Sequence, residues 1–170
     1  MKNLGISLLG LGLTLISASA SAETIVPANQ GKPYYFNQWT CFVPYSQTQV
    51  SAVGGNCGSG LPNNYYWEIY LQNSTSSTTS RTFYAYGRQA NTSACVGGCH
   101  TSCVGVVSNL NGDFVTWTGN QDLPTTAGWV TLGTLSVAAG NPISVECLIS
   151  ENTDPNPGYL SAIKVSGGAL

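Results

Sequence analysis

The chain has 170 residues, with 7 acids against 5 bases and a formal charge of −2; charged residues make up only 7% of it, where ordinary domains carry roughly 25%. No basic patch exists, which argues against nucleic acid as a partner. Ser, Thr, Asn, Gln and Gly stand in for the charges, and the only Met is the first residue. Good helix formers are scarce and Val, Ile, Thr, Tyr, Phe and Trp are plentiful, so strands are favoured over helices.

Residues 1–22 have the layout of a secretory signal peptide. Lys2 supplies the positive charge, Leu4 to Ile16 is apolar apart from Gly, Ser and Thr, and Ala20-Ser21-Ala22 puts small residues before Glu23. The apolar run is too short to span a bilayer, and no later one is long enough. Residues 23–170 are then expected to form a single exported domain, secreted or periplasmic, with 4 bases (Lys2 removed) against 7 acids and a charge of 4 − 7 = −3.

In chain order, short β runs separated by turn residues predict strands at Tyr34–Val43, Thr48–Val53, Tyr65–Gln72, Arg81–Tyr86, Val104–Ser108, Phe114–Thr118, Trp129–Val137, Ile143–Ile149 and Tyr159–Val165. In the eighth, Ile143, Val145 and Cys147 alternate with Ser144, Glu146 and Leu148. In the seventh, Val130, Leu132 and Thr134 alternate with Trp129, Thr131, Gly133 and Leu135. Ser74 to Ser80 is polar and reads as an exposed loop tip. Asn111-Gly112-Asp113 reads as a hairpin turn, Ala139-Gly140-Asn141-Pro142 as another, and Glu151 to Gly158 as a loop. Strands at this density predict an all-β fold, a jelly-roll-like antiparallel β-sandwich stabilised by disulfides.

All six cysteines, Cys41, Cys57, Cys95, Cys99, Cys103 and Cys147, follow the leader. Export and an even count predict three disulfides. Three cysteines cluster in 95–103 and three lie outside, so an odd number of bonds must leave the cluster. The preferred set pairs Cys41 with Cys57, closes one bond inside the cluster and ties its third member to Cys147. Cys95-Val-Gly-Gly-Cys99-His100 is also a widened relative of the C-x-x-C-H haem string, and with Cys103 it offers four zinc ligands. Oxidation in an exported protein favours disulfides over both, and no second His exists for an axial haem ligand.

His100 is the only candidate His base, and no G-x-S-x-G string supplies a nucleophile. Glu68 and Glu146 fall inside strands and could face each other across a sheet as a glycosidase pair; the simpler reading puts both on solvent faces. Asp122, Glu151 and Asp154 fall in loops, where they could join backbone carbonyls around calcium, without a D-x-D-x-D spacing. Asn73-Ser-Thr and Asn91-Thr-Ser match the N-glycosylation string.

The aromatics give the strongest binding signal, because Tyr and Trp stack on the C–H faces of sugars while keeping a polar handle. Tyr34-Tyr35-Phe36…Trp39, Tyr65-Tyr66-Trp67…Tyr70 and Phe83-Tyr84-Ala85-Tyr86-Gly87-Arg88 place aromatics on both faces of their strands. One face must be core; the other predicts a ligand platform of Tyr66, Trp67, Tyr70, Tyr84, Tyr86 and Arg88.

Residues 128–168, GWVTLGTLSVAAGNPISVECLISENTDPNPGYLSAIKVSG, resemble the closing strands of jelly-roll carbohydrate-binding modules, and are similar above all to golvesin-type and related galactose-binding-like domains. Trp129, Leu132, Gly133, Gly140, Val145, Gly158 and Ile163 carry the likeness; an Asp common before the last strand's core is replaced by Ser161-Ala162. The resemblance covers about a quarter of the chain. It implies a sandwich fold and a glycan or other cell-surface ligand. The expected function is therefore a non-catalytic, carbohydrate-binding module without a required cofactor. The alternative is a structural protein that associates with copies of itself.

Overall fold

The structure, a computed structural model, describes residues 22–34, 42–44, 46–52, 64–89, 101–150, 158–168 and 170. Its elements are β1 (Glu23–Pro27), a 3-10 turn (Ala28–Gln30), β2 (Lys32–Pro33), β3 (Phe42–Pro44), β4 (Val50–Ala52), β5 (Asn64–Leu71), β6 (Thr79–Arg88), β7 (Ser102–Ser108), β8 (Phe114–Trp117), β9 (Gln121–Asp122), β10 (Gly128–Val137), β11 (Ile143–Ser150) and β12 (Tyr159–Ser166). Among the described residues that turn is the only helical element, and no helix is long and apolar enough to cross a membrane.

The strands form two antiparallel sheets. The first runs β10-β6-β12-β4-β3, with β1 also on β12; the second runs β2-β5-β11-β7-β8, with β9 also on β7. Their inner faces share one core, so the sandwich expected from strand spacing is present. Period-two alternation builds it. On β11, Ile143, Val145, Cys147 and Ile149 point inward, and on β5, Tyr65, Trp67, Ile69 and Leu71 do the same. On β6 the inward set is Arg81, Phe83, Ala85 and Gly87. Gly105 on β7 lets that strand pack directly on Phe83 of the other sheet: a Cβ there would lie 2.5 Å from the Phe83 ring.

Cys103 and Cys147 are directly opposite on β7 and β11 and are joined by a disulfide, with Cα atoms 4.1 Å apart. This is the expected link from the cysteine cluster to Cys147. Cys41, Cys57, Cys95 and Cys99 lie outside the described residues, as do His100, Asn91, Glu151 and Asp154.

Three departures from the expected strands have physical causes. In β10 the register shifts between Thr131 and Gly133, where Gly133 holds a φ of 143°. This bulge resets the alternation, so Leu132 and Val137 are buried and Thr134 turns outward to meet Thr82 at 2.8 Å. A single unbroken period therefore misplaces Thr134 and Leu135. β1, β2 and β9 were not expected. The latter two hold only two residues each and take their strand character from pairing on β5 and β7. Of the expected strand Tyr34–Val43, residues 35–41 lie outside the described set; β2 ends just before it and β3 begins at Phe42.

Asn73 is 2% exposed, accepts from Thr75 (2.9 Å) and from the Arg81 guanidinium (3.2 Å), and donates to the Ala138 carbonyl. The glycosylation string at Asn73 is thus a buried polar anchor, with its amide already engaged.

Candidate functional site

The outer face of the second sheet carries a groove. Because Trp67 and Cys147 point inward, their neighbours Tyr66, Glu68, Tyr70 and Ser144, Glu146, Leu148 must point outward. Pairing then aligns cross-strand rows. Lys32, Glu68, Glu146 and Val104 form one row; Tyr70, Ser144, Val106 and Trp117 form the next; Tyr66, Leu148 and Ser102 form a third.

One wall comes from β8. The Asn109 side chain closes its turn by accepting from the Asn111 and Asp113 amides, both at 2.9 Å. Ser108 then pairs with Phe114 while Val107 pairs with Thr116, so Val115 is the extra residue of a bulge. Strict alternation would send Phe114 and Trp117 to opposite faces. The bulge puts both on the groove side, 62% and 51% exposed. Tyr34 forms the opposite wall: its amide donates to the Tyr66 carbonyl at 2.9 Å, and the two rings meet edge to face at 6.4 Å.

The resulting cavity has a volume of about 490 Å³, within the roughly 300–1,000 Å³ of small-ligand sites. Val104 and Val106 line it along with Tyr34, Tyr66, Phe114 and Trp117, and its polar groups include Glu68, Glu146 and Asn120. A smaller hollow of about 60 Å³ continues past Tyr66, Ser102 and Leu148.

Glu68 and Glu146 are direct cross-strand partners, side by side on an outer face, as the simpler reading of these strand acids expects. Lys32 Nζ lies 3.6 Å from Glu68 Oε2. Burial pushes the Glu146 carboxyl above the ordinary glutamate range, the charge of Glu68 pushes it further, and a hydrogen bond with Ser144 pulls it partly back. A carboxyl raised in the folded state holds its proton more tightly there than in the unfolded chain. Its contribution to stability is therefore greatest at low pH and is lost as pH rises from the ordinary value through the raised one. Glu146→Gln is expected to stabilise the protein at about pH 7, by a few tenths of a kcal/mol as for like charges directly opposite, and to change nothing at about pH 3, where the Glu146 carboxyl holds its proton. Thermal melts at the two pH values check this; an equal shift at both would contradict it.

The expected platform residues do not form one site. Tyr66 lines the groove, and Tyr70 stands on the same face beside it. Trp67 is a correction: it is 5% exposed, packs on Phe42 at 4.8 Å between centroids, and donates its indole N–H to the Ala28 carbonyl at 2.8 Å. Alternation along β5 allows Tyr66 or Trp67 to face out, not both. Tyr84, Tyr86 and Arg88 lie on β6 in the other sheet. There Lys164 Nζ sits 4.3 Å from the Tyr84 ring centre and 5.4 Å from that of Trp129, Tyr86 leans on Trp129 at 5.2 Å, and Arg88 covers Tyr159 at 5.3 Å. That surface is occupied by its own cation–π contacts. Phe114, Trp117 and Asn120 were missed; the Asn-Gly turn followed by two aromatics in four residues is the signal that pointed to them. Asp122 is exposed on β9, and among the described residues no three His, Cys, Asp or Glu gather as a metal site.

No family model matches this chain, and no curated protein matches it in sequence. Solved structures do resemble it in fold. The CBM36-1 domain of a multidomain xylanase from the hindgut metagenome of Trinervitermes trinervoides superposes with a TM-score of 0.52 at 16% identity, covering 88% of this chain and 100% of that one. The GH26-CBM35 beta-(1,4)-mannanase of Podospora anserina gives 0.49 at 11% identity over 87% of this chain, which spans only 28% of the mannanase. A family 35 carbohydrate binding module from Clostridium thermocellum gives 0.42 at 14% identity, covering 85% and 97%. The two-sheet topology and the match to a whole CBM36 domain together show an antiparallel β-sandwich of the fold that domain has.

Proposed function

We propose that this chain is an exported, non-catalytic module that binds glycan in the groove on the second sheet. The observation that carries the reading is the groove itself: about 490 Å³ lined by Tyr34, Tyr66, Phe114 and Trp117, with carboxylates and an amide among them. Flat aromatic faces suit the C–H faces of sugars, and Glu68, Glu146 and Asn120 accept from hydroxyls. The fold shared with a domain of a xylanase supports the same reading. Export is supported by the leader-like residues 1–22 and by the Cys103–Cys147 bond, which persists in oxidising compartments.

The placement of the acids supports binding without hydrolysis. Glycosidases flank the scissile bond with two carboxyl groups. Glu68 and Glu146 rise from adjacent strands of one sheet and approach a bound chain from the same side.

Trp117→Ala is the direct test. Its side chain is half exposed, so folding should survive, while loss of a stacking wall is expected to weaken oligosaccharide binding at least tenfold, or about 1.4 kcal/mol. Trp129→Ala on the other sheet should leave affinity unchanged. Calorimetric titration of both variants with oligosaccharides checks this; equal loss in both would reject the groove.

A second reading, self-association, is favoured by apolar side chains exposed on both faces and at the β7–β8 turn: Ile25, Leu110, Val115 and Trp129. Concentration-dependent light scattering from the ligand-free protein would favour it.

A further inference from the structure

We infer that the groove selects glycans bearing a protonated amino group, such as hexosamine polymers, over acetylated or uronic-acid chains; this rests on the glycan-binding reading above. The cavity floor sets two carboxylates directly opposite each other on β5 and β11. Lys32 pairs with Glu68 from a largely exposed position. Two negative charges and one positive leave a net negative charge, and among the described residues no cation lines the cavity.

The surroundings sharpen that charge. Val104 and Val106 lie beside the pair, and Glu146 is half-buried, so solvent screens it weakly. The upward push that Glu68 gives the Glu146 carboxyl reflects the same repulsion. An ammonium placed between the two would replace repulsion with charge-assisted hydrogen bonds. The Tyr34, Tyr66 and Trp117 side chains line the same cavity, and aromatic rings attract a cation. An acetylated sugar would keep the stacking and lose the ion pair. A uronate would add a like charge beside Glu146.

Glucosamine, N-acetylglucosamine and galacturonate oligomers of equal length can be titrated calorimetrically at a pH near 6, where a sugar amine is protonated. The expected result is glucosamine bound about tenfold or more tightly than N-acetylglucosamine, with galacturonate weakest. In the double variant Glu68→Gln/Glu146→Gln the first two should become equal. Equal binding by the unaltered protein, or a preference that survives in the double variant, overturns the amine selectivity and leaves glycan binding standing. Failure of every oligomer to bind, with Trp117→Ala also silent, overturns both.

Discussion

Trp67→Ala is expected to lower the unfolding free energy by about 3–5 kcal/mol, as large-to-small changes of buried aromatics do. The side chain fills the core between Phe42 and the 3-10 turn, and its indole N–H is one of two donors to the Ala28 carbonyl, the other being the Gly31 amide at 3.0 Å. Truncation opens a cavity and removes one of the two hydrogen bonds that carbonyl accepts, a smaller further cost. Trp67→Phe separates the terms: it keeps most of the volume and loses one of the carbonyl's two hydrogen bonds, so it should cost about 1–2 kcal/mol. Urea unfolding of both variants measures the difference. A small loss for Trp67→Ala, on the scale of a surface change, would mean Trp67 faces solvent as a ligand residue.

Removing the Cys103–Cys147 bond should cost a similar amount by a different route. The cysteines are 44 residues apart in sequence, and closing a loop of that length contributes about 4 kcal/mol in the chain-entropy model. Both cysteines are fully buried on the paired strands β7 and β11, so Cys103→Ala/Cys147→Ala also removes packing. The bond ties the two strands that floor the groove, and its loss is expected to weaken ligand binding in step with stability. Unfolding curves of the double alanine variant test this; a midpoint equal to that of the unaltered protein would show that the bond adds no stability.

The sandwich was legible because its central strands are regular. Alternation on β11 and β6 is unbroken over whole strands, and that pattern alone assigns inner and outer faces. The groove was less legible for three reasons. Bulges on β8 and β10 change the phase of alternation by one residue, and neither is marked by a distinctive residue except Gly133. Tyr66 and Trp67 are adjacent, so composition cannot say which faces out until the register of β5 is known. The Tyr84–Arg88 segment has the same aromatic content as Tyr65–Tyr70, and only sheet order shows that the two lie on opposite outer faces. Glu68 and Glu146 were visible as acids inside strands; their direct pairing is a matter of register between β5 and β11.

Mapping backbone amide shifts by nuclear magnetic resonance during titration with a bound hexose or hexosamine oligomer tests the central claim most directly. The account predicts changes at Tyr66, Glu68, Val104, Val106, Trp117 and Glu146, with Tyr84, Tyr86, Trp129 and Lys164 undisturbed. Changes concentrated on Tyr84, Trp129 and Lys164 would place the ligand on the first sheet and contradict it.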